Sequence, residues 1–301
     1  MNTYPSLSNC TLCPRNCGVD RNNGQLGYCG MPAQIHAARA ALHMWEEPCL
    51  VGETGSGTVF FSGCNMKCVF CQNHDIALGQ RGKDIPLSRL SEIFLELQQK
   101  GATNINLVTP THYIPQIRDA LIKAKQAGLN IPIVYNTGGY EKAESLHLLD
   151  GLIDIYLPDF KYYSAELSSR FSKAPDYYTQ ASQALAEMYR QTGPCIFNAQ
   201  GILTRGIIVR HLLLPGQTKD SKKILRYLHD TYQDNIWISI MNQYTPLPHV
   251  ATIPELNRKV TEAEYDRVID FAIRLGIENA FIQEGETAEA SFIPPFNMEG
   301  I

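Results

Sequence analysis

From Gly57 onward the chain repeats one theme, a short β-branched run followed by an amphipathic helix, and few folds accommodate it. Residues 57–63 read as a first strand that runs into a cysteine loop. Residues 86–100 carry Leu87, Leu90, Ile93, Phe94 and Leu97 at helical spacing, and Gly101 stops them. Further strands are predicted at 104–109, 131–136, 153–157, 207–214 and 237–241, with a last short one at 280–283. Helices are predicted at 115–127, 141–149, 164–191 with an interruption near Pro175, 221–232 and 261–275, the last opened by a capping box of Thr261 and Glu264. Strands that alternate with helices pair in parallel, so the fold class is α/β: a partial (βα)6 TIM-like barrel. The expected division is a cysteine-rich N-terminal extension over 1–50 and the barrel over 51–301. A chain of 301 residues with 44% hydrophobic content can bury one such core.

In barrels of this kind the chemistry gathers where the C-terminal ends of the strands and their loops converge. Here those ends are Cys64 with its loop, 109–112, 136–139, 158–161, 214–216 and 242–245, and the Pro-rich loop 243–259 is placed to cover the mouth. Among the histidines, His112 and His211 stand at or near strand ends as candidates for cofactor or substrate.

A net charge of -4 gives no basic face, so small molecules or a protein are the expected partners, and nucleic acid is not. The polar start and the lack of a long apolar run predict neither export nor membrane insertion, hence a cytoplasmic protein. That reducing compartment favours metal or catalytic roles for the nine cysteines over disulfides, and eight of them lie in the first 71 residues.

Cys64, Cys68 and Cys71 offer three thiolates within eight residues, directly after a strand. A [4Fe-4S] cube takes four cysteines, so a compact set of three leaves one iron open to a small molecule. Zinc is the alternative, with His74 or Cys49 as its fourth ligand. Upstream, Cys10, Cys13, Cys17 and Cys29 lie in a segment rich in Gly and Pro that is too small to hold itself by apolar burial. It holds either a second [4Fe-4S] cluster or a zinc ion. Cys49 joins one of these sites or is an ordinary buried thiol, and Cys195 is read as a core residue.

The CxxxCxxC spacing, with Phe70 before its last cysteine, resembles the cluster loop of the radical SAM superfamily. The flanking 57–64 and 71–73, together with 108–112, 135–140, 154–161, 209–212 and 215–216, are similar to relatives of the pyruvate formate-lyase activating enzymes over roughly residues 35 to 290. The resemblance implies that S-adenosylmethionine chelates the open iron and is cleaved reductively to a 5′-deoxyadenosyl radical. That radical would abstract hydrogen from a protein or peptide, or from a small molecule, with reduced ferredoxin or flavodoxin as electron donor. It also implies cofactor contacts for Phe70 near the adenine, Asn73, Thr109 and Thr111 near the amino group, Asn136 at the ribose or carboxylate, Arg210 on the fifth strand, and the Asp159-x-Lys161 pair. Unlike the well-known glycyl-radical activators, which insert extra clusters after this loop, the chain has only 72–84 between Cys71 and the first helix. A metal-carrying electron-transfer protein without catalysis is the competing class.

Overall fold

The computed structural model describes residues 3–283 and 294–301; Met1 and Asn2, and the part of the resembling stretch over 284–290, lie outside them. The strands are β1 (Ile35–His43), β2 (Ser56–Phe61), β3 (Lys83–Ile85), β4 (Ile105–Val108), β5 (Ile133–Thr137), β6 (Ile155–Pro158), β7 (Ile196–Phe197), β8 (Leu203–Leu212), β9 (Trp237–Met241) and β10 (Ala280–Ile282). They form one sheet in the order β10-β9-β8-β6-β5-β4-β2-β1-β3, with β7 paired to β8. Every pair from β2 to β10 along that path is parallel. This is the expected partial barrel, six βα units plus the short β10.

The helices are α1 (Pro48–Val51), α2 (His74–Ala77), α3 (Leu87–Gln99), α4 (Ile114–Gln126), α5 (Ala143–Leu146), α6 (Ala165–Ser172), α7 (Tyr177–Thr192), α8 (Thr218–Tyr232) and α9 (Glu262–Leu275). The break near Pro175 separates α6 from α7, as expected from a residue that lacks an N–H. Both halves of the capping box at Thr261 and Glu264 are present, and Gly276 closes α9 in the left-handed conformation. Among the described residues no helix is long and apolar enough to cross a membrane.

The two-residue period of the strands sorts their side chains. Ile105, Leu107, Ile133, Tyr135, Tyr156, Ile207 and Val209 face the helices in the main core. Their neighbours Val134, Ile155, Leu157 and Ile208 fill the barrel interior with Leu50 and Leu203. Going up the same interior face, the next residues are Asn136, Asp159 and Arg210, so the pleat that packs the core also delivers the polar residues at its top.

Three strands were not anticipated, β1 and β3 beyond β2 at one end of the sheet and the two-residue β7. β1 pairs antiparallel with β2 and β3 with β1, so the sheet takes in residues 35–43 from the stretch read as the N-terminal segment. A bulge between Ala37 and Arg39 breaks its alternation, and its many alanines give no strand signal.

Candidate active site

The C-terminal strand ends surround a cavity of about 1160 Å3, open mouth included. All eleven residues expected there line it: Cys64, Cys68, Cys71, Phe70, Asn73, Thr109, Thr111, Asn136, Asp159, Lys161 and Arg210. Gln243, Tyr244 and Thr245 from the Pro-rich loop close one wall, and Phe70 meets Tyr244 edge to face.

The cysteine loop is held from several sides. The Met66 N–H donates to Cys64 Sγ at 3.3 Å, the Ser172 hydroxyl donates to Cys68 Sγ at 3.0 Å, and the Val69 N–H reaches the Phe171 carbonyl at 2.8 Å. Burial, and then the neighbouring thiols, push the Cys64 and Cys71 thiols up. A bound [4Fe-4S] core would reverse this, because coordination deprotonates a thiol outright. Among the described residues no three His, Cys, Asp or Glu side chains already close around a point that could hold a metal ion. The fit of a cluster therefore rests on the donor set itself, three thiols on one loop facing one cavity.

Opposite the loop lies a charged network. Arg210 Nε donates to Asp159 Oδ1 at 3.0 Å and its Nη2 to Asn136 Oδ1 at 2.6 Å, while Lys161 Nζ donates to Asp159 Oδ2 at 2.5 Å. Burial alone would raise the Asp159 carboxyl, but Lys161 and Arg210 outweigh it and hold it below its ordinary value. Arg210 also faces Glu46 at 3.4 Å, a residue the sequence reading passed over. Burial pushes Glu46 up to about 7, against the pull of Arg210.

Gly139 shows why the β5 end must be small. Its φ is +81°, and a Cβ there would stand 2.3 Å from the Asp159 carbonyl oxygen. The Tyr177 hydroxyl seals the same corner, 2.9 Å from the carbonyls of Gly138 and Asp159 and accepting the Lys161 N–H at 3.0 Å. At the β4 end Thr109 takes a left-handed φ of 59°, strain held by its N–H bond to the Asn136 carbonyl at 2.9 Å.

Behind Thr111 and Thr137, whose hydroxyls both donate to its Oε1 at 2.5 Å, sits the fully buried Glu141, a second carboxylate the sequence reading missed. Burial raises its pKa from 4.5 to about 7, the threonine hydroxyls opposing. Between those values the folded chain keeps a proton that the unfolded chain has lost, so stability falls as pH rises through that window and levels off above it. The Glu141→Gln variant is expected to remove about 3 kcal/mol of this fall. Urea denaturation of both proteins on either side of the window measures it, the comparison separating Glu141 from Glu46, which titrates over the same range.

Several expected residues lie elsewhere. His211 is buried, with Nδ1 on the Phe160 carbonyl and Nε2 on the Ser221 hydroxyl, both at 2.8 Å, so its ring packs a helix. His74 stacks on His249. Segment 214–216 turns away, the Gly216 N–H donating to Glu264. Cys49 packs among Leu50, Val134 and Ile155 inside the barrel, apart from both cysteine sets, with Cys195 against the same cluster. Cys49 is therefore a buried thiol, as read for Cys195, and not a fourth ligand for the loop. Cys10, Cys13, Cys17 and Cys29 line a separate small cavity together with Arg21 and His112.

Residues 58–228, more than half of the chain, match the family model described as the radical SAM superfamily. An uncharacterized protein of Methanocaldococcus jannaschii is 30% identical over 282 residues, covering 90% of this chain and 76% of its own. Among solved structures, Streptococcus suis SuiB bound to S-adenosylmethionine superposes with a TM-score of 0.50 at 15% identity, over 74% of this chain and 48% of its own. Methylornithine synthase gives 0.49 at 14% identity, over 70% of this chain and 59% of its own. The chain thus spans about half the length of these two proteins, and the likeness to SuiB concerns the fold.

Proposed function

The chain belongs to the radical SAM superfamily, and from that premise we propose an oxidoreductase of the activating-enzyme type that abstracts hydrogen from a protein or peptide. Membership implies a [4Fe-4S] cluster and S-adenosylmethionine. In the proposed site Cys64, Cys68 and Cys71 would hold the cluster through three of its irons. When bound, the cluster supplies the electron that cleaves S-adenosylmethionine to methionine and a 5′-deoxyadenosyl radical.

The rest of the work falls to this chain's own side chains. Asn136, Arg210, Asp159 and Lys161 present a fixed pattern of donors and acceptors to a zwitterionic amino acid and a ribose. Phe70 offers an apolar face for an adenine, Asn73 a buried Oδ1 without a partner among the described residues, and Thr109 and Thr111 a polar rim. Tyr244 and Gln243 keep bulk water from the barrel side. The observation that carries the proposal is that three thiols of one loop and a buried Asp–Lys–Arg network, distant in sequence, line one cavity at the C-terminal strand ends.

The peptide part rests on the mouth, where Gln72, Asn73 and Gln243 join Gln283 and Glu46 in a continuation of the cavity. Side-chain amides match the alternating donors and acceptors of a peptide backbone. We further propose reduced ferredoxin or flavodoxin as donor, a cytoplasmic setting, and a metal centre at Cys10, Cys13, Cys17 and Cys29, either a second cluster or zinc.

Two measurements test this. Anaerobic reconstitution followed by EPR of the reduced protein should show a cluster signal that S-adenosylmethionine changes, and no change would return the chain to the metal-carrier class. Incubation with deuterated cell extract, split by ultrafiltration, should put deuterium into 5′-deoxyadenosine from the macromolecular fraction. Transfer from the filtrate alone would assign a small-molecule substrate.

A further inference from the structure

Arg21 is 1% exposed, yet among the described residues no carboxylate forms an ion pair with it. Its Nε donates to the Met31 carbonyl at 2.9 Å, its Nη1 to that of His112 at 2.7 Å and its Nη2 to that of Pro32 at 2.8 Å. Carbonyl dipoles solvate a guanidinium without neutralising it, and burying an uncompensated charge costs several kcal/mol. The ring of Tyr113 lies 5.7 Å away and offers only a weak cation–π contact. Cys10 Sγ, by contrast, is 3.9 Å from Nη1, and Cys13, Cys17 and Cys29 line the same cavity as Arg21.

A second buried group points into this corner. His112 lines the cavity, and its Nε2 lies 2.7 Å from the Ser62 carbonyl, which can only accept, so Nε2 carries the proton. Its Nδ1 is buried and, among the described residues, without a partner. A ring that donates Nε2–H to a backbone carbonyl and leaves Nδ1 bare is neutral, so among the residues lining the cavity the positive charge is that of Arg21.

We propose that Arg21 is the buried counter-ion of an anionic tetrathiolate metal centre at Cys10, Cys13, Cys17 and Cys29, and that its hold on His112 ties that centre to the loop carrying Cys64. This rests on the reading that those four cysteines bind metal. Four thiolates carry more negative charge than either zinc(II) or an oxidised [4Fe-4S] core carries positive, so both leave the anion that Arg21 lacks. The tie runs from Arg21 through the His112 carbonyl and ring to Ser62, two residues before Cys64. It is tight: a Cβ on Gly63 would stand 2.9 Å from the Cys29 carbonyl oxygen and 3.2 Å from His112 Nε2.

The experiment starts from the chain with Cys64, Cys68 and Cys71 all changed to alanine, so that bound zinc or iron reports the N-terminal centre alone. Arg21→Met and Arg21→Lys are made in it, and metal retention against a chelator is measured after reconstitution with zinc or with iron and sulfide. The parent is expected to hold metal, the Met variant to hold it at least tenfold more weakly, and the Lys variant to keep most of it. A parent that holds neither metal overturns the metal reading itself. Equal retention by all three, or equal loss from two variants that both melt cooperatively, leaves the metal reading intact and overturns the counter-ion.

Should the Met variant fail to fold, the sign is read with all four N-terminal cysteines changed to serine. There Arg21 is an uncompensated cation, so Arg21→Met is expected to raise the melting temperature, and a fall overturns the proposal. In the otherwise wild-type chain, Arg21→Met is expected to shift the EPR signal of the cluster at Cys64, Cys68 and Cys71, and an unmoved signal removes the tie.

Discussion

Changing Cys64, Cys68 and Cys71 together to alanine is expected to bring 5′-deoxyadenosine formation down to background. No other thiol can substitute. Cys49 is enclosed with Leu50 and Ile155 in the barrel interior, and the N-terminal cysteines line their own cavity. The same variant should remain folded, because the loop is anchored by backbone bonds such as Val69 to Phe171 that alanine keeps, and Cys64 and Cys71 are only partly buried. A cooperative melt close to that of the wild type, together with lost activity and lost S-adenosylmethionine-dependent EPR change, is the expected result. Residual 5′-deoxyadenosine from a metal-loaded variant would detach the chemistry from this loop.

The sequence discloses β2, β4, β5 and β6 because these parallel strands are buried on both faces and so appear as nearly continuous apolar runs, such as Ile155–Pro158. It discloses the cavity residues because they occupy the ends of those runs, where the interior face of the pleat continues upward. It does not disclose β1, whose bulge and alanines hide its period, nor β3, which is three residues long. Glu46 and Glu141 escaped for a related reason. Each lies in a connection, and what makes it notable is burial beside Arg210 or between Thr111 and Thr137, which only the packed chain reveals. Arg21 carried no signal either, since an arginine in a polar loop is ordinarily solvated. Its burial makes it informative.

Replacing Arg210 by Met tests the network that the cluster loop faces. Arg210 touches Asp159, Asn136 and Glu46, so among the described residues its loss leaves Glu46 without a cation and Asp159 with Lys161 alone. Removing one partner of a buried ion pair typically costs about 3–5 kcal/mol, which a urea titration reads directly. If the network also holds the co-substrate, the KM for S-adenosylmethionine should rise at least tenfold, because the guanidinium that would pair with its carboxylate group is gone. Arg210→Lys separates the two roles. It restores a cation near Asp159 and much of the stability, yet an ammonium cannot reach Asn136 and Asp159 together as the planar guanidinium does. The expected outcome is therefore a Lys variant that melts near the wild type and still binds S-adenosylmethionine poorly, with a weakened change in the EPR signal. A Lys variant that regains both stability and KM would mean that Arg210 supplies charge alone, and a Met variant with an unaltered KM would confine the network to holding the strand ends together.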